Sequence, residues 1–82
     1  MKRSKWNRHD LPIGEAVFIA RTLMEMTHAD LAARSGVHRN TLARLENGER
    51  PPTFEILVKV SAGLGVELSR LVRKAESLKP AP

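Results

Sequence analysis

The chain has 82 residues and no cysteine, so it forms one small domain that neither a disulfide nor a thiolate metal site can stabilise. Its 14 lysines and arginines outnumber its 9 acidic residues, and a formal net charge of +5 favours a polyanionic partner, most often nucleic acid. The longest apolar runs are far shorter than a membrane span, and the N-terminus has no signal-peptide core. We therefore expect a cytoplasmic protein.

The N-terminal segment divides into an arm and a first helix. Residues 1–9 contain four lysines and arginines, and we interpret them as a flexible basic arm. Asp10 can cap the helix that follows, and Pro12 is tolerated inside its first turn. Apolar residues then recur at helical spacing, which predicts that they face the core. They are Val17, Ala20, Leu23 and Met24.

The second and third predicted helices are separated by a glycine. Thr27 followed three residues later by Asp30 is typical of a capping box, so a short helix begins there and Gly36 ends it. The next helix spans Arg39 to Asn47, and Gly48 suits the left-handed residue that ends a helix. Two helices joined by a tight glycine turn form the helix-turn-helix arrangement.

The last two predicted helices follow a proline pair. Pro51-Pro52 imposes an extended link, and Thr53 can cap a fourth helix. That helix carries Phe54, Leu57, Val60 and Leu64 at core spacing. Gly65 ends it, and a fifth helix begins near Glu67. The prediction is an all-α fold of five short helices, in a domain covering residues 10–78 with a disordered tail at residues 79–82.

The third helix has one apolar side and one polar side. Leu42 and Leu45 lie on the apolar side, and four polar residues point away from them. These are His38, Arg39, Asn40 and Arg44. Arginine can bridge O6 and N7 of guanine, and asparagine can bridge N6 and N7 of adenine. The pattern is therefore suited to contact with the major groove of DNA.

The stretch "THADLAARSGVHRNTLARLENGERPPTFEILVKVSAGLGVEL" resembles the Cro/repressor type of helix-turn-helix domain, the XRE family. Members run Thr-Gln-x-x-Leu-Ala, then Gly-Val-Ser, then Ile-x-x-Ile/Leu-Glu-x-Gly, then Pro, and then a helix that closes in Leu-Gly-Val. The match covers about residues 13–72. The resemblance implies a compact five-helix bundle of the lambda-repressor-like type, with the helix from Arg39 as its recognition helix and double-stranded DNA as its partner. It also implies base contacts in the major groove at the positions where members read base edges, which are His38, Arg39, Asn40 and Arg44.

The resemblance also implies contacts to the DNA backbone. Thr27 and His28 match positions that hold a phosphate, where the free N–H groups at a helix N-terminus attract anions. Asn47 matches a second backbone contact, and Arg50 in the turn that follows is a further candidate. His28 stands where relatives usually carry glutamine, and histidine donates to phosphate more strongly when it is protonated. We therefore expect a contact that is weaker or sensitive to pH.

Two further positions carry structural expectations from the resemblance. Arg21 and Glu46 match a pair that bridges the first and third helices in relatives. A partly buried ion pair of this kind fixes geometry more reliably than it adds stability. His38 replaces a common serine or threonine cap, which makes the start of the recognition helix less well defined.

The fifth helix carries one apolar stripe. Its members are Leu68, Leu71, Val72, Ala75 and Leu78. One interpretation is that Leu68, Leu71 and Val72 pack internally while the rest frays. The interpretation we favour is that the outer part of the stripe meets a second copy about a two-fold axis. Such a homodimer would place two recognition helices about 34 Å apart and read a palindrome.

The sequence thus predicts a transcriptional regulator, most simply a dimeric repressor, and no enzyme. Nothing supplies a nucleophile turn, and His9, His28 and His38 are too scattered to bind a metal, so we expect no cofactor. One alternative is an antitoxin that binds a toxin protein and regulates its own operon; contact with RNA polymerase is another possible role for a protein partner. A third option is an accessory DNA-binding chain that shows steep salt dependence and little sequence discrimination.

Overall fold

The structure is a computed structural model that describes residues 11–49 and 51–79. Within these residues the chain forms five α-helices and no strand. They are α1 (Ile13–Leu23), α2 (His28–Ser35), α3 (Arg39–Glu46), α4 (Phe54–Leu64) and α5 (Leu68–Ser77). The predicted all-α fold of five short helices is confirmed. The basic arm, the proposed cap Asp10 and the phosphate candidate Arg50 lie outside the described residues.

The helices enclose one aliphatic core. α2 packs most extensively against α4, α1 packs against α5, and α3 rests on both α1 and α2. The buried apolar residues are Ile13, Ala16, Val17, Leu31, Val37, Leu42, Leu45, Val60, Leu64, Leu71 and Ala75. Burial of each leucine or valine contributes about 1.5–3 kcal/mol before conformational entropy is subtracted. No helix in the described part of the chain is long and apolar enough to cross a bilayer.

Local side-chain caps begin two helices where the sequence predicts them. Thr27 Oγ1 accepts a hydrogen bond from the Asp30 N–H at 3.0 Å, and the Asp30 carboxylate accepts one from the Thr27 N–H at 2.9 Å. Thr53 Oγ1 accepts one from the Ile56 N–H at 3.1 Å. The prediction for α1 is wrong in one detail, because Pro12 is its N-cap residue and lies outside the first turn.

Two of the apolar stripes that the sequence predicts in the core have exposed members at a helix end. Leu23, the last residue of α1, is 78 % exposed, and Met24 lies beyond the helix and is also exposed. Phe54, the first residue of α4, is 73 % exposed. The prediction that these three side chains face the core is therefore wrong. Each lies at a terminus that the neighbouring helices do not cover, which a periodic pattern cannot reveal.

The apolar stripe on α5 packs against the core of its own protomer. Leu71 is 3 % exposed and Ala75 is 0 % exposed, while the other three members are half-buried against the same core. Those three are Leu68, Val72 and Leu78. Because Leu71 and Ala75 are already covered, they have no surface to offer a second copy. Any contact between copies along α5 depends on the half-buried members.

Gly14 allows α3 to lie close to α1. A Cβ atom at this position would overlap the backbone carbonyl of Leu45, near the C-terminal end of α3. Since that carbonyl belongs to a packed helix, it cannot rotate away as a flexible side chain would. Gly14 therefore helps to set the position of the helix that carries the predicted base-contacting residues.

Candidate nucleic-acid interface

A tight turn fixes α3 across α2. Gly36 adopts a left-handed conformation with φ +76°, and its N–H donates to the Ala32 carbonyl at 2.9 Å. Val37 is buried, and its N–H donates to Ser35 Oγ at 3.1 Å. Because only residues 36–38 separate the two helices, the turn leaves little freedom in their crossing angle. This is the helix-turn-helix geometry that the sequence predicts.

His38 caps the start of α3. Its Nδ1 atom accepts a hydrogen bond from the Asn40 N–H at 3.0 Å, as a serine or threonine hydroxyl would at an N-cap. An accepting Nδ1 places the ring proton on Nε2, which is then a donor. The departure from the usual serine or threonine therefore leaves α3 capped.

The four predicted base-contacting side chains lie on the outer part of the motif. Leu42 and Leu45 are buried beneath the helix, which leaves the polar side of α3 facing away from the core. The exposed residues are His38, Arg39, Asn40 and Arg44. Asn40 and Arg44 are one helical turn apart and so share a face. The structure brings the four together, and their contact with bases stays a prediction.

A buried bidentate ion pair ties α1 to the end of α3. Arg21 Nε and Nη2 donate to the two Glu46 carboxylate oxygens at 2.7 and 2.9 Å. Arg21 Nη1 also donates to the Met26 carbonyl at 2.7 Å, just before the cap of α2. The hydrogen bond to Glu46 raises the pKa of Arg21 above its ordinary value. One guanidinium thus holds the two helices of the motif in a single arrangement.

The N-terminus of α2 lies beside this ion pair. His28, its first residue, places Nε2 2.9 Å from Glu46 Oε1, and its side chain is 35 % exposed. Thr27 is exposed as well, and the capping box already uses its hydroxyl. The backbone N–H groups of His28 and Ala29 have no hydrogen-bond partner among the described residues. Free N–H groups at a helix N-terminus attract anions, so this end can hold a phosphate.

The C-terminal end of α3 offers a second polar position. α3 ends at Glu46, and Asn47 is its exposed C-cap residue, with an N–H that donates to the Ala43 carbonyl at 3.0 Å. Gly48 follows in the left-handed conformation at φ +72°, which confirms the helix-ending role that the sequence predicts for it. The Asn47 side chain is free to reach a second phosphate, and this contact also stays a prediction.

Sequence reasoning missed two features of this region. The first is the bond between His28 and Glu46, which lie 18 positions apart, a separation that matches no local pattern. The second is an apolar groove between α1 and α5, edged by the exposed Leu23 and by two cations, Arg70 and Lys74. The only sequence signal for the groove was the apolar stripe of α1, which pointed to the core instead.

Comparisons with known proteins agree with this geometry. A helix-turn-helix family model matches residues 19–71. The clp gene regulator ClgR from C. glutamicum has a similar structure, with a TM-score of 0.81 and 25% identity over 88% of this chain and 94% of that one. The restriction-modification controller protein C.AhdI from Aeromonas hydrophila has a similar fold, with a TM-score of 0.70 and 24% identity over 74% of this chain and 92% of that one.

The family match covers α2, α3 and α4 in full, together with the end of α1 and the start of α5. No curated protein matches the chain in sequence. By their names, the two structural neighbours are a gene regulator and a restriction-modification controller protein. The chain therefore belongs to the XRE family of helix-turn-helix proteins and is a DNA-binding transcriptional regulator.

Proposed function

We propose that the protein is a dimeric repressor that reads a palindromic operator through the major groove. The observation that carries this proposal is the two-sided α3, whose polar side is exposed while Leu42 and Leu45 anchor it. Arg39 and Asn40 lie in its first turn, where a recognition helix reaches base edges. Their side chains have the donor and acceptor geometry that reads guanine and adenine.

Contacts to the DNA backbone would hold this helix in register. Thr27 and His28 begin α2, and Asn47 follows α3, so the candidates lie at both ends of the motif. Arg50 is a further candidate from the sequence. Such contacts supply affinity and orientation without reading sequence. Base preference is therefore assigned to the exposed side of α3 alone.

Dimerisation would double the recognition surface. A two-fold axis places the same residues in two successive major grooves, with half-sites about 34 Å apart. We place the contact along the outer edge of α5, where Leu68, Val72 and Leu78 keep part of their surface. The exposed Phe54 on α4 belongs to a different apolar patch, against which this placement is tested.

Selection from a pool of random duplexes at physiological salt tests the proposal. We expect a palindromic consensus whose half-site spacing matches one turn of DNA. An enriched single half-site would contradict the dimer while leaving the recognition helix in place. Salt-sensitive binding with no enriched sequence would contradict sequence-specific reading and favour an accessory DNA-binding role.

The apolar groove between α1 and α5 favours a second candidate, an antitoxin that binds a toxin protein and represses its own operon. Ile19, Leu23 and Val66 line the groove, and Arg70 and Lys74 lie in its wall. Neither cation has an ion-pair partner among the described residues. Such a surface suits an apolar segment that carries carboxylates.

A substitution in the groove separates the two candidates. Leu23→Asp should leave duplex binding unchanged, because Leu23 is exposed and lies outside the helix-turn-helix pair. If the protein is an antitoxin, a small toxin should co-purify with the native chain, and the variant should lose it. A native chain that purifies alone from its own cells and still selects an operator would favour the repressor.

A further inference from the structure

We propose that His28 binds its phosphate only in the protonated form, so that operator affinity rises as the pH falls from 8 to 6. This inference rests on the proposed function, because it concerns the regulation of the same interface. The sequence already predicts a phosphate contact that strengthens when the histidine is protonated. The structure adds which ring nitrogen is left for the phosphate and why the neutral ring does not bind it.

The hydrogen bond to Glu46 determines which ring nitrogen of His28 carries a proton. Nε2 lies 2.9 Å from Glu46 Oε1, and the same carboxylate accepts two hydrogen bonds from Arg21. An ionised carboxylate only accepts hydrogen bonds. The Nε2 atom of His28 must therefore donate, in the neutral ring as well as in the charged ring.

The other ring nitrogen, Nδ1, is then the one left for a ligand. A neutral imidazole has a single N–H, so an Nε2–H tautomer presents a lone pair at Nδ1. A phosphate oxygen is also an acceptor, and the two groups repel. Protonation turns Nδ1 into a charged donor, which forms a short and strong hydrogen bond with phosphate. The interaction between His28 Nδ1 and a phosphate oxygen thus changes from repulsive to attractive when the ring takes up one proton.

The charges around His28 support this switch. Glu46 faces the ring from α3, and Arg21 from α1 balances the charge of that carboxylate. On α2 itself, the Asp30 carboxylate is held by the Thr27 N–H. Protonation of His28 therefore gives the cluster of Arg21, Glu46 and His28 a net positive charge at the end of a helix that already attracts anions.

A second histidine in the interface responds to protons in the opposite direction. His38 Nδ1 accepts the Asn40 N–H and caps α3. Protonation would make that atom a donor and remove the cap. A pH profile of the native protein thus combines two opposed effects. A comparison of proteins that differ only at His28 separates them.

The experiment measures dissociation constants for the selected duplex at pH 8, 7 and 6 and constant ionic strength, for the native chain and for His28→Gln. Glutamine, the usual residue at this position in the family, donates to phosphate at every pH. We expect the native chain to gain affinity relative to the variant as the pH falls, by at most about tenfold per pH unit and protomer, the limit for one proton. Equal pH slopes in the two proteins would overturn the proposal.

Two controls and one further outcome complete the experiment. His38→Ser preserves a good cap and removes the second imidazole of the interface, so the difference made by His28→Gln should persist in that background. Ring nitrogen NMR shifts of the free native chain at pH 8 should show His28 as the Nε2–H tautomer, and an Nδ1–H tautomer would overturn the proposal even if His28→Gln failed to fold. Loss of selective duplex binding by every protein at every pH would overturn the proposed function itself.

Discussion

Arg39 lies at the first position of α3, the proposed recognition helix, and its side chain is exposed. We expect Arg39→Ala to cost about 1–3 kcal/mol in binding to the selected operator and to relax base preference at one position. The measurement is affinity for the operator and for duplexes altered at single positions. Arg34→Ala, an exposed arginine near the end of α2, is the matched control and should change little. A uniform loss across all sequences would make Arg39 a phosphate contact.

The contribution of Asp30 to the stability of the fold depends on pH. The hydrogen bonds from the Thr27 backbone and side chain lower the pKa of the Asp30 carboxyl below its ordinary value of 3.8. Because the folded-state pKa is the lower one, the stability that this carboxylate contributes is present above the unfolded-state pKa. It is lost as the pH falls through the folded-state pKa.

Asp30→Asn tests this linkage. The variant should unfold at a lower temperature than the native chain at pH 7, and the gap should close as the pH falls through the lowered pKa of Asp30, below which both proteins carry a neutral side chain at this position. Thermal unfolding followed by circular dichroism across this range measures the gap. Glu49→Gln is the control, since its carboxylate is exposed and lies outside the caps. A gap that stays constant with pH would show that the carboxylate charge does not contribute.

At the scale of the element, the helices follow from local signals. Thr27 and Thr53 cap α2 and α4 through side-chain hydrogen bonds that their spacing predicts. Gly36, Gly48 and Gly65 all adopt positive φ at the helix ends. These features depend on residues within one turn of each other, so a sequence pattern contains them. The burial of a residue at a helix end depends on the neighbouring helices, so a local sequence pattern does not predict it.

The end of α1 shows what such a pattern misses. Glu25 adopts φ +57°, and the turn is closed by the Met26 N–H, which donates to the Arg21 carbonyl at 3.1 Å, and by the Glu25 N–H, which donates to the Thr22 carbonyl at 3.0 Å. This is the C-terminal motif in which glycine usually takes the left-handed position. A side chain there carries a conformational cost that glycine does not.

Glu25→Gly should therefore stabilise the fold, by up to about 1 kcal/mol. Urea unfolding should show a higher midpoint with an unchanged slope. Gly48→Ala is the converse control, because it places a side chain at a left-handed position and should lower the midpoint. A lower midpoint for Glu25→Gly would show that the glutamate side chain makes a contribution that outweighs its backbone strain.

At the scale of the whole molecule, the site depends on contacts between distant parts of the chain. The outward direction of α3 follows from the spacing of Leu42 and Leu45, so its exposed side was predictable. The cluster of Arg21, His28 and Glu46 joins three helices. Only the resemblance to a family indicated the ion pair, and nothing in the sequence placed His28 beside it. The position of the proton on the His28 ring can therefore be inferred only from the assembled helices.

The proposed contact between two copies is also a property of the whole molecule. Because Leu71 is buried in its own protomer, a charge there would unfold the chain without reporting on a dimer. Val72 is half-buried on the same helix and tests the proposed α5 contact. Val72→Asp should shift the protein from dimer to monomer in sedimentation velocity while circular dichroism shows that it stays helical. Phe54→Asp on α4 should leave the dimer intact.

The pair of variants distinguishes the possible interfaces. If Phe54→Asp gives a monomer and Val72→Asp does not, the contact lies on α4, where Phe54 is 73 % exposed, and the placement on α5 is wrong. A native chain that stays monomeric at operator-binding concentrations would contradict the dimer altogether. The monomeric variant should also bind a palindrome no more tightly than a single half-site, because the linkage between two recognition helices is lost. Equal preference for the palindrome in both proteins would mean that the DNA itself brings the two copies together.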